Sequence, residues 1–122
     1  MDSWMRSDEV PPLSPRLDVD DQGAYVLDVN GNVTGGIRTP YVDAPSAVLS
    51  GLGNTGDGFC RLFGTTRLFT AEEMATLYGD KQGFVDAVTD AAQTAVDEGF
   101  LLPEDADAIV EWAPSQWDIQ TQ

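Results

Sequence analysis

An α+β fold is what the sequence predicts: a short β-hairpin, a long glycine- and proline-rich loop, and three short helices. Three observations carry it. Asn30-Gly31-Asn32 separates stretches of β-forming residues, and Asn-Gly accepts the positive backbone angles of a tight hairpin turn. Gly35, Gly36, Pro40 and Pro45 then crowd a stretch too broken for a long regular element. Beyond residue 69, helix start and stop signals follow one another closely.

The elements follow in order. Residues 2–7 read as the last turn or two of a helix, and "PPLSP" (11–15) as an extended linker, since each proline fixes its own backbone and restrains the residue before it. "RLDVD" (16–20) alternates apolar and acidic, a short strand signal. "AYVLDV" (24–29) supplies the next strand, and Val33 begins its return, which Gly35-Gly36 ends. Residues 39–54 read as loop, with Val42, Ala47, Val48, Leu49 and Leu52 docking onto a neighbouring surface. "FCRLFGTTRLF" (59–69) is a short strand or a buried loop. No internal repeat is evident.

Thr70 and Glu73 form a capping box, opening a helix that stops at Gly79. Asp80 caps the next, whose Phe84, Val88, Ala91, Ala92 and Ala95 make one apolar stripe before Gly99 closes it. Pro103, Glu104 and Asp105 suit the first turn of a third helix, which carries Ala106, Ile109, Val110 and Trp112 and stops at Pro114. The stripe has no partner of matching size in this reading, so the segment is expected to pack against a larger body.

Composition excludes several functions. The chain has 122 residues, 21 acidic against 6 basic, and a net charge of -15. It has no basic patch to neutralise phosphates, so neither nucleic acid nor an anionic membrane surface is an expected partner. There is no histidine, which removes the base of a Ser-His-Asp site and the commonest metal ligand. With one cysteine, the usual zinc sites are excluded and no cofactor or metal is expected. Cys60 reads as a small buried thiol, or as one that pairs with a partner segment.

Candidate motifs weaken on inspection. "DVDDQG" (18–23) has the early oxygen ligands and glycine of a calcium loop, but its twelfth position is Val29, where a bidentate Glu is required. "DVNGN" (28–32) lacks the glycine in place, and turn chemistry explains both. "NVTGGIR" is no phosphate loop, because no Lys-Ser/Thr follows. No G-x-S-x-G is present, and Ser46 and Ser50 have no base to activate them. Acid pairs are many, but nearly all fall on solvent faces or in turns.

"DVNGNVTGGIRTPYVDAPSAVLSGLG", "FCRLFGTTRLF", "LYGDKQGFVDAV" and "TAVDEGFLLPEDA" together resemble, in order and spacing, the C-terminal part of a bacterial family of α/β-hydrolase-domain proteins. These are long members in which a G-G-[IV]-R-x-P-x-V loop follows the hydrolase core. The resemblance implies that residues 1–15 are the end of a core helix and a Pro-rich linker, and residues 16–122 a C-terminal accessory segment. It implies a partner, the α/β-hydrolase core, joined in cis in relatives and in trans here. That core would carry the serine, acid and histidine of an ester- or amide-type hydrolase, leaving this chain alone inactive. The Gly/Pro loop then has two readings. In one, Arg38 and Tyr41 rim the substrate cleft. In the other, Arg38 ties the loop down through a carboxylate or loop carbonyls. The alternative for the whole chain is a free-standing acidic binding module without catalysis.

Overall fold

Local turn chemistry builds the first half. The computed structural model describes residues 5, 6 and 10–122. The helix end expected over residues 2–7 lies mostly outside them, with Met5 and Arg6 helical, and residues 10–16 run exposed without regular structure. From residue 20 one turn is made twice. The Asp20 carboxylate accepts from the Gln22 and Ala24 amides at 2.9 Å, and the Gly23 amide donates to the Asp20 carbonyl at 3.0 Å. Eight residues on, the Asp28 carboxylate accepts from the Asn30 and Asn32 amides, and the Gly31 amide donates to the Asp28 carbonyl. Both aspartates thereby act as turn residues.

This period of eight organises the backbone around a small triangle. The amide of Asp18 donates to the carbonyl of Thr34, Thr34 to Val26, and Val26 back to Asp18, at 3.0, 2.9 and 3.1 Å. The flanking pairs Leu17–Gly35, Val19–Tyr25 and Leu27–Val33 are single antiparallel bridges. The hairpin expected over residues 24–33 therefore exists as bridges rather than strands, because three segments share the hydrogen bonds that two would exchange. It also belongs to an internal repeat that the sequence reading passed over. Gly35 closes the triangle: its φ is +71°, and a Cβ there would lie 2.5 Å from the Arg16 carbonyl oxygen.

The regular sheet lies further on, its first strand where a loop was expected and its second within the stretch read as a short strand or a buried loop. A single helical turn α1 (Pro40–Asp43) leads into strand β1 (Ala47–Ser50), which pairs antiparallel with β2 (Thr65–Leu68). Four-residue strands carry little periodicity, and the pairing partner is 15 or more residues away, so local signals do not reveal the pairing. A short 3-10 helix (Gly58–Leu62) precedes β2. Cys60 on it is free and exposed, which corrects the expectation of a buried thiol.

The helices obey their punctuation. In α2 (Ala71–Tyr78) the Thr70 hydroxyl accepts from the Glu73 amide, while the Glu73 carboxylate accepts from the Thr70 amide. The Asp80 carboxylate caps α3 (Lys81–Asp97) by accepting from the Gly83 amide. At its end Gly99, φ +80°, donates to the Val96 carbonyl, and Phe100 to Ala95, the paired bonds of a Schellman motif. The last helix, α4, runs Pro103–Gln120, straight through Pro114. A proline inside a helix costs about 3 kcal/mol, and contacts beyond it offset that cost. The Trp117 ring lies 6.0 Å from that of Phe84, the Gln120 side-chain amide donates to the Ser46 carbonyl, and Asp118 pairs with Lys81 at 2.6 Å.

Reading Pro114 as a stop hid the stripe's partner. Phe84, Val88, Ala92 and Ala95 of α3 are buried, and α4 supplies Ala113, Ile109, Val110 and Trp117 against them. Met74, Phe69 and Ala44 complete the core. Trp112 faces solvent instead.

Tyr78 joins this core to the loop, its hydroxyl donating to the Pro45 carbonyl at 2.7 Å. Burial pushes its pKa up to about 12 from the ordinary 10.0. The folded state thus holds the phenolic proton more tightly than the unfolded chain. This contribution is intact below pH 10 and is lost as pH rises toward 12. Tyr78→Phe should flatten that alkaline decline in melting temperature, while costing about 1 kcal/mol near neutrality through the lost hydrogen bond.

Candidate functional site

The charge and the exposed apolar surface are divided between the two halves. Residues 70–122 hold twelve acids and one base, whereas residues 10–69 hold six acids and four bases. Most of the large apolar side chains left in solvent belong to residues 10–69, among them Leu17, Tyr25, Leu27, Leu52, Phe59, Leu62, Phe63 and Leu68. The chain exposes 8599 Å²; a compact protein of 13.1 kDa exposes about 6,400 Å². A near-neutral, apolar half beside a strongly acidic one has the make-up of a docking face.

Two polar side chains hold this face in shape. Asn32 is 1% exposed, and its amide lies along the outer edge of β1. Its Oδ1 accepts from the Leu49 amide at 2.8 Å, and its Nδ2 donates to the Ala47 carbonyl at 3.2 Å. The side chain thus stands in for a third strand and ties the triangle to the sheet. Sequence reasoning took Asn32 for a turn residue only; nothing local distinguishes an asparagine bonded to residues 15 and 17 positions away.

Arg38 is the second. Its Nε bonds Asp43 at 2.6 Å, Nη1 donates to the Val33 carbonyl at 3.0 Å, and Nη2 lies 3.5 Å from Asp28. One guanidinium therefore gathers the second Asp turn, the return segment and the end of α1. Tyr41 is half-exposed and, among the described residues, its hydroxyl has no hydrogen-bond partner. Neither residue lines the groove beside β1 or the cavity around Arg67.

Between the triangle and β1 runs an open groove of about 710 Å³, lined mainly by Leu17, Tyr25, Leu27, Val33, Val48 and Leu52. No charged side chain enters it. A second cavity of about 390 Å³ contains Arg67, Glu72 and Glu73 with Phe69 and Leu77. Arg67 and Glu73 are already matched: the Arg67 guanidinium bonds both Glu73 oxygens at 3.1 and 3.2 Å and sits 5.6 Å over the Phe69 ring. That guanidinium, then the Thr70 amide, holds the Glu73 carboxyl below its usual range. Among the described residues no cluster of three His, Cys, Asp or Glu side chains could hold a metal ion, and no helix is long and apolar enough to cross a membrane.

A family model described as an alpha/beta hydrolase domain matches residues 1–111. The chain belongs to the alpha/beta hydrolase domain family. No curated protein matches it, and no solved structure does. Hydrolases of this broad class place a serine on a strand-to-helix elbow and activate it with histidine. This family member's 122 residues include no histidine and no such elbow, and its two serines near the core serve structure. Ser46 accepts at its carbonyl from Gln120 and the Phe69 amide, and the Ser50 hydroxyl accepts from the Leu52 amide.

Proposed function

We propose that this chain is the C-terminal accessory portion of an α/β-hydrolase protein, residues 16–122 docking on a hydrolase core that supplies serine, acid and histidine. Residues 1–15 are then the end of a core helix and the linker leaving it. The complete protein hydrolyses an ester- or amide-type bond by acyl transfer. The observation that carries this reading is the division of the surface, with apolar side chains concentrated on the half that is nearly neutral. Arg38 acts in it as a clamp, since two carboxylates and the Val33 and Val42 carbonyls occupy its donors. Tyr41, half-exposed and with its hydroxyl free among the described residues, is the residue of the loop that would touch substrate.

The test is to purify the chain with the catalytic portion of a longer family member and assay an aryl ester. The chain alone should be inactive and bind a hydrophobic dye, and should form a complex in which dye binding falls. In the joined protein, Arg38→Gln should lower the melting temperature and leave turnover unchanged. A loss of turnover at unchanged stability would return Arg38 to the cleft rim. No complex, with a sharp melt and no dye binding, would favour a free-standing acidic module, a reading supported by the chain's own helical core.

A further inference from the structure

The two edges of the β1–β2 sheet differ. The Phe69 amide donates to the Ser46 carbonyl, which sets the phase of the antiparallel ladder. Counting along it, Thr65 and Arg67 turn their backbone groups toward β1, whereas Thr66 and Leu68 turn theirs outward. On the β1 side the corresponding outward groups are Ala47 and Leu49, and the buried Asn32 amide already bonds both. On the β2 side no partner is present among the described residues. The Thr66 and Leu68 amides are free, and the Leu68 carbonyl is approached only by its neighbour Arg67 at 3.5 Å. Every β2 residue is exposed, with Leu62, Phe63 and Leu68 as apolar neighbours.

We propose that the outer edge of β2 is a strand-pairing site, and that its occupant is an edge strand of the hydrolase core. This rests on the docked-core reading above and names its contact. A two-stranded sheet is marginal alone, and an open edge with apolar flanks is a template for another strand. The core of an α/β protein offers such strands at the margins of its open sheet. Charge selects against the other ready occupant: a second copy would bring together two chains of net charge -15.

The experiment uses the full chain and the catalytic portion of a longer family member, with hydrogen exchange read at the Thr66 and Leu68 amides. Thr66→Pro and Leu68→Pro remove an outward donor while leaving the β1 ladder bonds in place. The expected result is slowed exchange of both amides in the complex, and at least tenfold weaker association for each proline variant with its melting transition retained. Should a proline variant fail to fold, exchange in the unsubstituted complex decides. A complex in which both amides exchange as fast as in the free chain overturns strand pairing but leaves the docked core standing. No complex at all overturns both.

Discussion

Replacing Phe84 with alanine is expected to cost about 3–5 kcal/mol, the range for a fully buried phenylalanine. Phe84 is 1% exposed and lies where α2, α3 and α4 meet. The Tyr78 ring stands edge-on at a centroid distance of 5.0 Å, Trp117 is at 6.0 Å, and Met74, Val88 and Ala113 belong to the same cluster. Removing it takes away the surface on which α4 continues past Pro114, so the proline's cost is no longer offset. Domains of this size have only about 5–15 kcal/mol in hand. Thermal unfolding followed by helical circular dichroism should therefore move down by about 10 °C or more. Leu68→Ala, on the exposed edge, should shift it by no more than about 0.5 kcal/mol. Equal effects at the two positions would mean that the helical half is not the stable part of the molecule.

That half was also the legible one, and for the same physical reason. A capping box, an Asp cap, a Schellman glycine and a first-turn proline are interactions within four or five residues, so Thr70, Glu73, Asp80, Gly99 and Pro103 announce them directly. Pro114 misled because its local penalty is real and is outweighed only by residues distant in sequence: Phe84, Ser46 and Lys81. β1 was read as loop, and β2 was left open between a strand and a buried loop, because each strand is only four residues long. The repeat in residues 18–36 did leave a trace, Asp20-x-x-Gly23 and Asp28-x-x-Gly31, eight residues apart. Turn chemistry was read in each stretch singly, and their common eight-residue spacing was not. Arg38 stood out among the glycines and prolines of its loop, and Asp43, five residues on, was a legible partner; Asp28 was not, since only the folded triangle brings it near.

Asn32→Ala should be the most damaging polar substitution, because Asn32 ties the triangle to the β1–β2 sheet. Its side chain is buried, and removing it strands the Leu49 amide and the Ala47 carbonyl without partners. Each orphaned backbone group costs about 1–3 kcal/mol, so a loss of about 2–4 kcal/mol is expected. Asn32→Asp separates the hydrogen bonds from the packing. The carboxylate can still accept from Leu49, but it has no donor for Ala47 and sets a buried negative charge against that carbonyl oxygen. It should therefore destabilise more than alanine near neutral pH, and regain part of the loss as pH falls, since the protonated acid can donate to Ala47. Denaturant melts of both variants at neutral and mildly acidic pH make the comparison. An aspartate variant as stable as the native chain at neutral pH would mean that the Asn32 amide does not seal β1. The asymmetry between the two sheet edges would disappear with it.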